Sequence, residues 1–210
     1  ATAINTPEAI SVFEQWTRLY TDYKFLKEAD FYNRFSVGTM PLGIAPYTLY
    51  LTLSQAASGI QGRWSVEPVP SFTSENKAIT GAGTGCAIVA KSSHVDEAWE
   101  FLKWWTSAQT QARYSRNLES VLGLVGRHPT ATVEAFADLA WEPEVRNNLM
   151  AQWENVEELP EIPGSYYLTR AIDQAFWAVV NGESNGKDAI LKWSEVADAE
   201  ISRKIKEYVQ

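Results

Sequence analysis

The stretch Leu159–Val180, LPEIPGSYYLTRAIDQAFWAVV, joins a proline-rich loop to a helix with one apolar face. Pro160 and Pro163 restrict the backbone of the loop and cannot donate amide hydrogen bonds, whereas Gly164 permits a sharp turn. Ser165 is placed to cap the helix, because its hydroxyl can accept from an amide in the first turn. The stretch therefore predicts a helix that starts at a stiff, defined point.

Aromatic and polar side chains gather at this predicted helix start. Tyr166 and Tyr167 have flat apolar faces with hydroxyl tips, and Arg170 carries a rigid fork of donors. Together with Thr169, these side chains suit a polyhydroxylated ligand such as a sugar. The alternative is that both tyrosines simply pack between helices.

Composition limits the class of protein and of partner. The 210 residues are 45% hydrophobic and 21% charged, which suits one large domain or two small lobes. A net charge of −8 argues against nucleic acid or an anionic membrane surface as partner. No apolar run is long enough for a transmembrane helix. The nine tryptophans, nine tyrosines and eight phenylalanines exceed what a core needs, as in proteins that handle carbohydrate rings.

Residues for catalysis or metal binding are few. His94 and His128 stand apart from other catalytic residue types, and neither an HExxH nor a GxSxG motif is present. Cys86 is the single cysteine and lies in the apolar run CAIVA, which predicts a buried, unreactive thiol. We therefore expect no catalytic residue, no metal and no cofactor.

Hydrophobic periodicity predicts many helices separated by a few short strands. Strands are predicted at residues 40–47, which we expect to be buried, at 63–70 and at 86–90. The polar, turn-rich residues 71–77 are expected to cross between two lobes. Predicted helices begin at Thr6-Pro7, Thr48, Ser93 as N-cap, Ala131, Pro143, Ser165 as N-cap, and Asn185 or Gly186. This alternation predicts an α/β fold.

Tyr47 is a further candidate for ligand binding. It follows Pro46 between the predicted strand at 40–47 and the next helix, and ligands commonly meet an open α/β sheet at such a point. The alternative is a core tyrosine with a satisfied hydroxyl.

Four motifs occur in an order that resembles a known family. They are FYNRFSVGTMPLGIAPY, WSVEPVPS, SSHVDEAWEFLKWWTSAQTQ and LPEIPGSYYLTRAIDQAFWAVVNG. In this order they resemble the C-terminal half of the family 1 extracellular solute-binding proteins of ABC importers, the maltose-binding-protein-like group. Pro41 and Leu42 depart from the family's usual Ala-Met.

The resemblance implies a helix-rich, periplasmic-binding-protein-like (type II) lobe. Residues 1–71 and 129–210 would form the second, C-terminal lobe, and residues 78–128 would cross into the first. Most of the N-terminal lobe would be absent, so we expect a piece of a longer protein, anchored outside the cytoplasm through sequence before Ala1. An isolated lobe would supply only half of the ligand contacts.

The resemblance also implies a site and a mechanism. Tyr47 occupies the place where such proteins stack a sugar ring, and Thr84, in the glycine-rich crossing segment, is a further contact. The four residues Tyr166, Tyr167, Thr169 and Arg170 fall where the family has late aromatic and polar contacts. The lobes would close on an oligosaccharide and deliver it to a membrane permease. The alternatives are a structural or interaction domain that has kept only the fold, and a glycan-processing enzyme, which the few acid–base candidates disfavour.

Overall fold

The computed structural model describes residues 2–71, 79–81 and 83–209. It is a helix-rich α/β structure with a small sheet, as the sequence predicts. The strands are β1 (Ile79–Thr80) and β2 (Val156–Glu157). The α-helices are α1 (Pro7–Thr21), α2 (Phe31–Ser36), α3 (Thr48–Ala56), α4 (Val95–Trp105), α5 (Ala108–Leu122), α6 (Val133–Ala137), α7 (Pro143–Trp153), α8 (Tyr166–Val180) and α9 (Gly186–Val209).

The chain divides into two compact units. Unit 1 comprises residues 1–29 and 159–210, and unit 2 comprises residues 30–158. The predicted division into lobes at residues 71 and 129 is a separate hypothesis and stays a prediction.

Unit 1 is built from α1, α8 and α9. Helix α1 begins where the sequence predicts, with the Thr6 hydroxyl accepting from the Ala9 amide at 3.3 Å and Pro7 in the first turn. Helices α8 and α9 pack closely because both bury small side chains, such as Ala175 and Ala197. The core of the unit contains Phe13, Ala175, Phe176, Val179, Ala189 and Ile190. Burial of these apolar groups holds the three helices together.

Unit 2 centres on aromatic and aliphatic side chains from three helices and the loop between two of them. Its core contains Leu51 of α3, Phe136 of α6 and Val145 of α7, together with Leu139 and Trp141 from the loop between α6 and α7. The sheet consists of β1 and β2 paired in parallel, with Ile79 opposite Val156 and Thr80 opposite Glu157.

The predictions of strands at residues 40–47, 63–70 and 86–90 are wrong. All three segments are irregular, and Leu42 and Ile44 in the supposedly buried segment are 84% and 79% exposed. In the described part of the chain no strand lies beside them, so their amides have no ladder to join. Prolines at 41, 46, 68 and 70 remove further donors. Cys86 is consequently exposed, not buried as predicted.

The N-cap predicted at Ser93 is wrong, whereas Ser165 directly precedes α8 as predicted but lacks the predicted capping hydrogen bond. Helix α4 begins after His94, and the nearby hydroxyl that accepts from the His94 amide belongs to Ser92 instead of Ser93, at 3.1 Å. Ser165 has helical backbone angles and makes no capping bond. Its hydroxyl instead donates to a carboxylate oxygen of Glu161 at 3.1 Å. The crossing predicted at residues 71–77 falls almost entirely on residues 72–78, outside the described residues.

Candidate functional site

The start of α8 is shaped by a glycine that lies directly on α9. Gly164 has φ of +90°, and a Cβ built on it would lie 2.8 Å from the Cα of Ile201. A side chain at this position would therefore collide with backbone and adopt an unfavourable conformation. Gly164 thus determines where the first turn of α8 is presented on unit 1.

Tyr166 presents its ring to solvent and its hydroxyl to α9. The side chain is 57% exposed, and its hydroxyl donates to an Oε atom of Glu200 at 2.8 Å. That hydrogen bond to a carboxylate raises the pKa of Tyr166. Arg203 donates to the same carboxylate from Nε at 2.8 Å. The ring of Tyr166 is therefore held in place while much of its surface stays accessible.

Tyr167 and Arg170 complete a small surface cluster beside it. The Tyr167 ring meets the Tyr166 ring edge-on, with centroids 6.2 Å apart. The guanidinium carbon of Arg170 lies 5.6 Å from the Tyr167 ring centroid, a cation–π contact. Tyr167 is half-buried, whereas Arg170 and Thr169 are exposed. This turn of α8 therefore offers flat apolar faces next to hydrogen-bond donors.

Tyr47 and Thr84 belong to unit 2 and have different surroundings. The half-buried Tyr47 ring packs edge-on against Phe136 and Trp141, at centroid distances of 6.1 and 6.2 Å. Burial raises the pKa of Tyr47 to about 12. Thr84 is exposed on an irregular segment. The prediction that both act with the α8 residues in one site stays a prediction.

A run of aromatic rings continues from Tyr47 across unit 2. Trp141 contacts Tyr50 at 6.0 Å, Tyr50 contacts Trp64 at 5.5 Å, and Trp64 meets Phe35 edge-on at 5.8 Å. Tyr50, Trp64 and Phe35 are not among the ligand contacts predicted from sequence, although the surplus of aromatic residues is a signal for such a cluster. We call Phe35, Trp64, Tyr50, Trp141 and Tyr47 the ring run.

Each unit has an open cleft among the described residues. The larger, of about 600 Å³, lies in unit 1 beside α1 and is lined by Glu14, Gln15 and Arg18, among others. The smaller, of about 390 Å³, lies in unit 2 at the ion pair between Arg116 and Asp138. None of the predicted ligand contacts lines either cleft. We therefore base the candidate site on the exposed ring clusters and their donors.

The His128 ring is partly buried among aromatic rings. Burial lowers the pKa of His128, whose ring lies 5.2 Å from Tyr114 and 6.0 Å from Trp105. Residues 2–71, 79–81 and 83–209 contain no group of three or more His, Cys, Asp or Glu side chains that could hold a metal ion. Among the same residues, no helix combines the length and apolar character needed to cross a membrane.

Comparison with known proteins relates most of the chain to one protein family. The family model described as a bacterial extracellular solute-binding protein matches residues 1–144. No curated protein matches the chain.

Proposed function

Because the chain belongs to the bacterial extracellular solute-binding protein family, we propose that it captures a carbohydrate and delivers it to the permease of an ABC importer. The family implies a small-molecule ligand, ABC partners and an extracytoplasmic location, and its members are generally non-catalytic. The proposal adds the sugar as ligand, the hand-over to a permease, and the maltose-binding-protein-like subtype.

The observation that carries the sugar proposal is the cluster at the start of α8. Pyranose rings have apolar C–H faces that cover aromatic rings, and hydroxyl groups that pair with guanidinium donors. Tyr166 and Arg170 are both exposed, and Tyr167 lies between a ring and a cation. Thr169 adds a hydroxyl on the same turn. We propose that these four residues contact the ligand.

Two further parts of the proposal concern the organisation of the protein. Residues 1–71 and 129–210 would form the C-terminal lobe, and residues 78–128 would cross into an N-terminal lobe supplied by other sequence, which would also carry the anchor. Tyr47 and Thr84 would then meet the ligand from positions on either side of the cleft. Lobe closure would bury the sugar between these contacts.

The second candidate function is a non-catalytic structural or interaction domain. It is favoured by the packing of Tyr47 against Phe136 and Trp141, which resembles a core role. In that case the tyrosines would stabilise the fold without touching any ligand.

Isothermal titration calorimetry with a panel of neutral oligosaccharides tests the proposal. Covering one ring face removes about 60 Å² of apolar surface, worth about 1.5 kcal/mol or about tenfold in Kd. We expect Tyr47→Ala and Tyr167→Ala each to weaken binding by about this factor. Tyr208→Ala, which removes an exposed tyrosine near the end of α9, is the matched control and should leave the Kd unchanged.

Three outcomes separate the alternatives. Binding that both tyrosine substitutions leave unchanged would reject these two contacts. A chain that is folded by circular dichroism yet binds no saccharide would favour the interaction domain. Hydrolysis of any panel member, followed by chromatography, would instead point to a glycan-processing enzyme.

A further inference from the structure

Tyr166 at the start of α8 is an exposed residue whose side-chain tip is tied to a second helix. The residue is 57% exposed, yet its hydroxyl donates to an Oε atom of Glu200 on α9 at 2.8 Å. An ionised carboxylate has no proton to give, so the hydroxyl is the donor. The ring is therefore held at both ends, by its own backbone and by α9.

The carboxylate that holds Tyr166 is itself held in place. Arg203 donates to one oxygen of Glu200 from Nε at 2.8 Å and to the other from Nη2 at 2.6 Å. Such a bidentate contact has a defined geometry. The hydrogen bond from Arg203 also lowers the pKa of Glu200 to about 2, so the acceptor stays ionised at neutral pH.

The backbone next to Tyr166 lies against the same turn of α9. A Cβ built on Gly164 would be 2.8 Å from the Cα of Ile201 and 3.3 Å from the carbonyl oxygen of Glu200. The start of α8 and the Tyr166 hydroxyl therefore contact α9 at neighbouring residues. One short part of α9 fixes both where the ring begins and where its tip lies.

This anchoring distinguishes Tyr166 from the other exposed tyrosines. Tyr23, Tyr114 and Tyr208 are also exposed, but within residues 2–71, 79–81 and 83–209 their hydroxyls make no hydrogen bond. A hydrogen bond at the surface adds little to stability, because water would satisfy both groups in its absence. Ligand binding therefore accounts for an anchored, accessible ring better than stability does.

We infer that Glu200 is a positioning residue, which fixes the Tyr166 ring to receive the apolar face of a sugar ring. A free surface side chain changes rotamer within picoseconds to nanoseconds, and a ligand that must stop this motion binds more weakly. In Tyr166 the motion is restricted before the ligand arrives. The inference rests on the proposed function, because it gives Glu200 a part in binding the same carbohydrate.

Calorimetry with the panel of neutral oligosaccharides tests this role, using the panel member that binds the wild-type protein most tightly. Glu200→Ala removes the acceptor, so we expect the Kd to rise about two- to tenfold, because one side chain must then be ordered on binding. Glu200→Gln keeps an oxygen that can accept from the Tyr166 hydroxyl, so its Kd should stay within about twofold of wild type. Alanine and glutamine both favour helix, so α9 should remain folded, which circular dichroism checks.

A double-mutant cycle separates positioning from a structural role. In Tyr166→Phe no hydroxyl remains for Glu200 to hold, so adding Glu200→Ala should change the Kd by less than about twofold. A structural role of Glu200 in α9 would instead weaken binding equally with tyrosine or phenylalanine at position 166. Glu195→Ala is the matched control, because it removes an exposed glutamate from the same helix and should leave the Kd unchanged.

NMR relaxation of isotope-labelled tyrosine rings in the ligand-free protein gives a second readout. The Tyr166 ring, whose signal is identified by its loss in Tyr166→Phe, should be ordered in the wild type and mobile in Glu200→Ala. An unchanged Kd in Glu200→Ala, an equal loss in the Tyr166→Phe background, or a ring that stays ordered overturns the positioning role and leaves the proposed function standing. Absence of binding to every saccharide overturns both.

Discussion

Arg127 is a buried charge whose partner can be removed without touching the core rings of unit 2. The residue is only 3% exposed. Its Nε donates to one oxygen of Glu119 at 2.9 Å and its Nη2 to the other at 2.6 Å. It also donates to the Ala140 carbonyl at 3.1 Å, and its guanidinium carbon lies 4.4 Å from the Trp141 ring centroid. We predict that the pair stabilises unit 2 mainly by compensating the buried guanidinium.

Replacing Glu119 and replacing Arg127 should therefore lower the free energy of unfolding by different amounts. Breaking a fully buried pair costs about 3–5 kcal/mol, and because the Glu119 side chain is 27% exposed we expect about 2–3 kcal/mol for Glu119→Ala. Arg127→Met removes the buried charge itself and leaves a carboxylate that water can reach, so we expect about 1–2 kcal/mol. The double variant should cost about as much as Arg127→Met, so the coupling free energy equals the cost of Glu119→Ala in magnitude, about 2–3 kcal/mol.

Urea denaturation followed by tryptophan fluorescence and circular dichroism measures these free energies of unfolding. The Arg116–Asp138 pair of the same unit is the control, because both of its side chains are about half exposed or more. Removing either of those partners should cost less than about 1 kcal/mol. A larger loss for Arg127→Met than for Glu119→Ala, or a coupling near zero, would refute the reasoning.

Two further predictions concern unit 1. Gly164→Ala should lower the free energy of unfolding by about 2–4 kcal/mol, because it combines backbone strain with a collision against Ile201. Gly182→Ala causes similar backbone strain but meets no neighbouring atom, so it should lower the free energy of unfolding by only about 1–2 kcal/mol. Equal losses in thermal denaturation would contradict the close packing of Gly164. The hydrogen bond from Arg203 lowers the pKa of Glu200 from 4.5 to about 2, so its stabilisation is complete above pH 4.5 and disappears as the pH falls through about 2. Glu200→Gln should flatten this acid dependence of the melting temperature, and an unchanged acid profile would exclude the network as its source.

Several helix starts could be predicted from sequence because their signals are local, although the starts of α2 and α5 were not predicted. Pro7 and Pro143 mark the first turns of α1 and α7, and the hydroxyl of Thr6 caps an amide three residues away. Strands were predicted poorly, because a strand needs hydrogen bonds from a partner that may be distant in sequence. The observed sheet pairs Ile79 with Val156, and no periodicity within either segment specifies that pairing.

The candidate site also has features that can be read from sequence and contacts that only the structure shows. The side chains at the start of α8 can be read from the sequence of that segment, whereas the exposure of Tyr166 is seen only in the structure. The bond from its hydroxyl to Glu200 joins residues 34 positions apart and could not be inferred from spacing. The burial of the Arg127 guanidinium is equally invisible in sequence, because burial is a property of the surroundings.

By itself, the amino-acid sequence determined the helix-rich class, the starts of helices such as α1 and α7, and the membership in a family of solute-binding proteins. Each of these depends on contacts within a few residues or on the order of motifs along the chain. Tertiary structure alone decided which rings touch, which charge is buried, and which apolar segments stay exposed. Those outcomes depend on free energies of packing and desolvation between residues far apart in sequence, and neither composition nor periodicity specifies such encounters.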